Sequence, residues 1–544
     1  MITRRRLLGS AAGNIAAGAL AAAGGVLSPA GASRGEAAPA AAGGKVLTVA
    51  TLLNIKTLDP GRTLENATNN VDHVTYDALV TFEGEDLKTV RPSLATRWTT
   101  SPDGLTYTFT LRPNVKFASG NAMTAADFKW SFERLMNIKG NGAWLLDGVA
   151  GLEAPNATTF VIRLSRPKPA LLAILTTPSL SPVDTKVVTA QGGDAGPSAR
   201  DKDKAEGYLN AHSAGTGAFI LESYVPNQDL VLVRNPNCWR GPSSLDRVVL
   251  RNVIEAGAQS LMIEKGDVDI AVNIGADQAR HLRHAPGVVV ESSLALNVVN
   301  VVMNNNPQIG GPFSHPKIRQ AVRYAIDYQG IMALTGPGSV RAAGVFPTNL
   351  PGARPRSEAV KTDRERARAL VKEANLGAVE GTFIYSSTIA SYGVDTAILA
   401  QKIQHDLAAA GINVKLVDLP YAVQVQMSRD GKIPIGLGGW LADYMDISDY
   451  LVFLPGRTVG KRMNWFPESS PDAAELARMG QRVETETNPA KNLALYQELD
   501  RRITEAGPFA PMYQPAVPYA FRSNLKGVTY TTGWYVDYST ISKA

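Results

Sequence analysis

Thr382-Phe383-Ile384-Tyr385, then Leu399, Ile403, Leu407 and Ala410, then Gly411-Ile412-Asn413-Val414-Lys415-Leu416: this stretch decides the fold class. The first four residues read as a short strand. The four apolar residues that follow, spaced three and four apart, define one face of a helix. Gly411 suits the end of that helix, where backbone often turns left-handed. Ile412, Val414 and Leu416 alternate, as in a strand with one buried face. A strand, a helix and a strand at this spacing form a crossover, and a crossover joins parallel strands. The later half of the chain is therefore α/β.

Working outward, His315-Pro316 precedes Ile318, Ala321, Val322, Ala325 and Ile326, a second helical face with Pro near its first position. The front half has a different period. Lys45–Ala50 reads as a first strand, ended by Thr57-Leu58-Asp59-Pro60, and a helix is expected through Val71–Leu79. Thr106–Leu111 and Phe160–Leu164 alternate as strands, and Val115-Lys116-Phe117 continues the first after a turn at Arg112-Pro113-Asn114. Between them, Thr124-Ala125-Ala126-Asp127 opens a helix carrying Phe128, Phe132 and Leu135. Residues 186–207 are polar and small and read as a surface loop. Phe219–Tyr224 and Leu230–Val233 flank Pro226-Asn227 as a hairpin. A β-rich front and an α/β rear imply at least two lobes.

The N-terminus carries Thr3-Arg4-Arg5-Arg6-Leu7-Leu8 before an Ala/Gly-rich run to about Leu27, interrupted by Asn14. Such a run is too weakly apolar for a spanning helix and reads as a signal segment with a twin-arginine export address. Ala30-Gly31-Ala32 and Ala38-Pro39-Ala40 are both candidate cleavage sites, and a retained anchor is the alternative. Cys238 is the only cysteine, so no lipid-bearing cysteine follows the signal, and an intrachain disulfide or a multi-cysteine metal site is excluded. The chain has 55 Lys+Arg against 49 Asp+Glu; without its first 44 residues it carries +3. That balance gives no broad field for nucleic acid or anionic membrane.

No strong catalytic constellation is present. The one Gly-x-Ser-x-Gly match, Gly31-Ala32-Ser33-Arg34-Gly35, falls in the signal region, and the sequence lacks a His-Glu-x-x-His helix and a phosphate-binding Gly-x-x-x-x-Gly-Lys loop. His281 and His284 share a helical face but lack the further ligands zinc needs. Asp267 and Asp269 read as solvent-facing or turn-capping carboxylates, and Cys238 beside Trp239 as a packed thiol without a base. Catalytic residues, metal ligands and cofactors are therefore not expected. The segment that stands out is Gly438-Gly439-Trp440-Leu441-Ala442-Asp443-Tyr444-Met445-Asp446. Two glycines permit close backbone approach, Trp440 offers a flat apolar wall, and Asp443 buried in a cleft requires a cation. A ligand's ammonium would serve; a structural aromatic with a capping Asp is the other reading.

Taken together, the segments resemble the oligopeptide/dipeptide/nickel-binding family of ABC importer solute-binding proteins, from about Lys45 to near the C-terminus. The resemblance is carried in order by Leu58-Asp59-Pro60; Pro92-Ser93-Leu94-Ala95-x-x-Trp98; and Ser101-x-Asp103-Gly104-x-x-Tyr107-x-Phe109-x-Leu111-Arg112. It continues through Val115-Lys116-Phe117-x-x-Gly120, Thr124-Ala125-x-Asp127, Gly215-Thr216-Gly217-Ala218-Phe219 and Asn235-Pro236-x-x-Trp239. Ile318-Arg319-Gln320-Ala321, Ala325-Ile326-Asp327 and Gly411-Ile412 complete it. In oligopeptide binders of this family, the Asp of a Trp-x-x-Asp pattern pairs with the peptide's α-amino group. The resemblance makes Asp443 the amine anchor, Trp440 a pocket wall and Gly439 a backbone contact. Met445-Asp446-Ile447 departs from the family, where many members have Asp/Glu-Pro.

The fold implied is α/β, a large-class (type II) bilobal periplasmic-binding-protein fold with an additional domain and a two-segment hinge. The expected division is a signal over residues 1–44, lobe I from 45–65, 180–300 and 510–544, an extra domain over 66–179, and lobe II over 301–509. Asn304 and Met512-Tyr513 are expected at the crossings, which places Tyr513 among the ligand-binding residues. The function implied is capture of a peptide-like solute in a periplasm by a monomer. Delivery to ABC transporter permease subunits follows, without nucleic acid or stable membrane insertion as partners. A nickel chelate, a sugar derivative or another amine-bearing solute is the alternative ligand. A secreted hydrolase or a sensor subunit is the alternative class.

Overall fold

The computed structural model describes residues 44–388, 393–531, 533 and 535–544; the signal reading lies outside them. The strand Val46–Thr51 sits inside a seven-stranded sheet. It pairs in parallel with Arg247–Asn252 on one side and Ile270–Ala271 on the other. The hairpin Phe219–Tyr224 and Asp229–Arg234 extends one edge, and Ala516–Arg522 with Val288–Leu294 forms the other.

The second large sheet has six strands, in the order Val340–Arg341, Phe509–Gln514, Val299–Met303, Ile435–Gly438, Val379–Tyr385 and Ile412–Asp418. Val379–Tyr385 and Ile412–Asp418 are parallel, joined by the helix Thr396–Ala408, so the crossover stands as expected. Gly411 has φ +83, the left-handed backbone that favours glycine. Val379 and Val414 share the buried core with Leu399, Ile403 and Leu407.

A four-stranded antiparallel sheet occupies the front half: Ala95–Thr100, Thr106–Leu111, Thr159–Leu164 and Val149–Asn156. The helix Ala125–Ile138 packs on it through Phe128 and Phe132, each with its ring centroid 5.5 Å from that of Phe160. Thr124 and Asp127 form the capping box that starts this helix, the Thr124 N–H donating to the Asp127 carboxylate at 2.8 Å.

The chain passes between the large sheets twice. Leu294 pairs with Ala516 in the first, and Val299 pairs with Tyr513 in the second. The crossings are therefore residues 295–298 and Pro515, tied to each other by Ala295 N–H donating to Pro515 O at 2.9 Å. This corrects the expected positions. Asn304 lies beyond the far end of its strand, where its amide donates to the carbonyls of Gly431 and Ile433. Met512 and Tyr513 lie within a strand of the second sheet.

Three local expectations also shift. The first helix spans Asn66–Thr75, not Val71–Leu79, because Tyr76 turns extended and Asp77 leaves to meet Thr216, Trp239 and Arg240. Val115 and Phe117 are buried, but Lys116 makes only one bridge, to Ala122, because Gly120 (φ +91) closes the turn at once. Residues 186–207 are not a bare loop. They contain the turns Thr185–Ala190, Ala199–Lys202 and Glu206–Leu209, with Asp203 buried against Arg134.

Candidate functional site

Strand directions point to one place. Val288–Leu294 runs parallel in sense to Val46–Thr51 and ends at the first crossing. Ile435–Gly438 runs antiparallel to Val299–Met303, with Gly438 opposite Asn300, so it too ends at the crossing. Its parallel neighbour Val379–Tyr385, and Ile412–Asp418 beyond that strand, end on the same side. The carboxyl ends of the parallel strands in both sheets thus face the crossings, the place where open α/β sheets bind ligands. From the first sheet come Thr51, the exposed Leu52 and Asn273, whose side-chain oxygen holds both by hydrogen bonds. From the second sheet comes the segment after Gly438.

That segment runs alongside the first crossing. Leu441 bridges Asn297, and the Ala442 N–H donates to Leu296 O at 3.2 Å. A Cβ on Gly439 would meet the Asn297 side-chain oxygen at 2.7 Å and Val298 O at 3.1 Å. The small residue is therefore required first by the crossing. Gly439 also lines a cavity of about 100 Å³ with Tyr421, Gln424 and Arg462. A larger hollow of about 420 Å³ opens at the edge strand Val288–Leu294, between Glu85, Glu291, Tyr519 and Tyr530, away from the sequence-predicted residues.

Trp440 is partly buried. Its indole N–H donates to Asp449 Oδ2 at 2.8 Å, and the Arg462 guanidinium lies 5.5 Å from its ring centroid. Asp443 is partly buried, and its own N–H donates to Asp449 Oδ2 at 3.2 Å. Its carboxylate forms no hydrogen bond or ion pair among the described residues. Burial pushes that carboxyl up to about 6, and the charge of Arg462 acts the other way. Asp449 is fully buried and held well above the ordinary carboxylate range by burial and by Asp443. The site thus sets two carboxyls against one guanidinium.

The loop is closed from the far side by Tyr444, whose ring lies 5.9 Å from that of Trp144. Asp446 accepts from Ser448 N–H at 2.8 Å and caps the helical turn Ile447–Phe453. Tyr513, also predicted to bind ligand, is fully buried in the core of the second lobe among Val299, Met512 and Phe383, away from the pocket at Gly439. Asp449, Arg462 and Asn297 escaped the sequence reading. Asp449 lies nine residues from Trp440 with no repeat spacing to mark it, and Arg462 sits in an ordinary basic pair.

The remaining candidates have local uses. His281 is exposed, 3.2 Å from Glu264. Asp269 accepts from Thr48 N–H and pairs with Lys543. Cys238 is buried, and burial pushes its thiol up.

The family model of bacterial extracellular solute-binding proteins, family 5, matches residues 89–460. The relative named "Probable D,D-dipeptide-binding periplasmic protein DdpA", from Escherichia coli, is 26% identical over 498 residues, covering 89% of this chain and 91% of that one. Di/tripeptide-binding protein 2 of Pseudomonas aeruginosa is 27% identical over 512 residues, covering 89% and 92%. Among solved structures, the ABC transporter substrate binding protein CtaP of Listeria monocytogenes superposes with a TM-score of 0.80 at 18% identity, covering 92% of this chain and 99% of that one.

Proposed function

We propose that this chain, which belongs to the bacterial extracellular solute-binding proteins of family 5, captures peptides or peptide-like solutes between its two lobes and delivers them to the permease of an ABC importer. The relatives named for dipeptides and for di- and tripeptides, and the ABC transporter protein that shares the fold, support the class of solute and partner. The chain acts by binding, as its family does.

One observation carries the choice of ligand chemistry: the Asp443 carboxylate is partly buried, sits in the segment that runs alongside the first crossing and has no hydrogen-bonded or ion-paired partner among the described residues. A buried carboxylate without a cation is costly. The ammonium group of a peptide's first residue supplies one, with Trp440 as the adjoining wall and Gly439 as main-chain contact. Peptide backbone beyond it is bound by main-chain groups at the strand ends.

The remaining parts follow from the same reading. The expected division into lobe I (45–65, 180–300 and 510–544), an extra domain (66–179) and lobe II (301–509) is kept with lobe I cut back to 294 and 516, because Val299–Met303 and Phe509–Gln514 pair within the second sheet. The leader sends the folded chain through the twin-arginine pathway to a periplasm, where it works as a monomer. Mass spectrometry of the solute that co-purifies identifies the ligand. A short peptide that raises Tm in proportion to its excess over Kd supports the reading. Equal affinity for free and N-acetylated peptides would sink the amine-anchor role.

A further inference from the structure

The loop bearing Trp440 and Asp443 is held by a residue that no family pattern assigned. Asp449 begins no strand and faces no solvent; it is 2% exposed. Its Oδ2 accepts two hydrogen bonds at once, from the Trp440 indole and from the Asp443 backbone. Its Oδ1 is buried with no partner. The charged and titratable groups acting on it are the carboxyls of Asp443 and Asp446 and the hydroxyls of Tyr444 and Tyr450; Arg462 faces Asp443 and the Trp440 ring.

We propose that Asp449 is a positioning residue of the amine site: its Oδ2 fixes the Trp440 plane and the Asp443 backbone together. This rests on the amine-anchor reading above. Without that oxygen the wall and the anchor lose their common fixed point, and an ammonium paired with the Asp443 carboxylate loses a charge-assisted bond. An acetylated amine brings no charge to that carboxylate and loses little. Discrimination against blocked amines therefore depends on Asp449 as well as on Asp443.

The test is calorimetric titration of the full chain with trialanine and N-acetyl-trialanine, in the wild type, Asp443→Asn, Asp449→Asn and Asp449→Ala. Asp449→Ala, which strands both N–H groups, should weaken trialanine by about 10- to 100-fold. It should leave the acetylated peptide within about twofold. Asp449→Asn keeps an oxygen acceptor, so it should keep Tm and recover part of the affinity. If Asp449→Ala does not fold, Asp449→Asn carries the test by its ratio of affinities for the two peptides. Wild-type behaviour in both Asp449 variants, or equal weakening of both peptides, overturns the proposal. If Asp443→Asn treats the two peptides as the wild type does, the amine-anchor reading itself fails. If Asp443→Asn discriminates while the Asp449 variants do not, only the role of Asp449 fails.

Discussion

Two buried charge clusters in this molecule solve the same electrostatic problem in opposite ways. Near the start of the front domain, Arg134 is 1% exposed and meets two fully paired carboxylates. Its guanidinium donates to Asp59 at 2.7 and 2.6 Å and to Asp203 at 2.8 Å twice, while Arg62 adds a second cation at 2.9 Å from Asp203. Two anions face two cations, and the cluster is closed. At the other cluster, Asp443 has the charge of Arg462 nearby but no bonded partner, and the Asp449 Oδ1 beside it is unmatched. The first arrangement joins segments far apart in sequence. The second leaves the Asp443 carboxylate without a hydrogen-bonded cation among the described residues, which is what the proposed amine ligand would supply. An unmatched carboxyl alone is not the signature, however. Asp72 is 1% exposed with neither oxygen bonded, and burial together with Asp59 raises it well above the ordinary range. It has no opening to solvent and is kept neutral, whereas Asp443 is partly exposed beside a crossing.

The comparison breaks first at Arg134. Replacing it with Ala should leave two buried anions unpaired and cost about 3–5 kcal/mol, read as a lower urea midpoint. A loss under about 1 kcal/mol would mean the closed cluster is ornamental. Asp443→Ala should do the reverse. Stability should be unchanged or higher, while affinity for free-amine peptides falls by about 10- to 100-fold, measured by calorimetry.

Acid should move the open cluster alone. With Asp443 at about 6, affinity for an amine ligand should fall from pH 7 to pH 5, by at most about tenfold per unit below the midpoint. The unliganded chain responds oppositely. The folded state holds a proton that the unfolded state releases near 4, so Asp443 stabilises the fold in acid and withdraws that stability as pH rises through about 6. Thermal unfolding with and without peptide between pH 4 and 8 separates the two. The smallest effect belongs to Arg62→Ala. Asp203 keeps both bonds to Arg134, so the loss should stay below about 1 kcal/mol.

Much of the architecture was readable because it rests on local period. The crossover from Val379 to Asp418, the capping box at Thr124 and the hairpin after Phe219 each need only their own residues. Trp440 and Asp443 were singled out by the family resemblance and their short spacing, and the fold brings both to Asp449. What escaped depends on distant residues. Asp203 reads as loop until Arg134, 69 positions earlier, is placed beside it. Asp449 reads as one more acidic residue in a turn until the indole reaches it. The crossings were set several residues off because Asn304 and Tyr513 have the burial of strand residues, and only sheet pairing shows that the chain changes sheets at 295–298 and Pro515.

The bond between Ala442 and Leu296, with the bridge from Leu441 to Asn297, has a mechanical meaning. The loop bearing Trp440 and Asp443 is tied to residues 295–298 rather than carried freely on one lobe, so a twist of that crossing should move both side chains with it. Leu441, 43% exposed on that loop, is the position where a fluorescent label would turn occupancy into an optical signal.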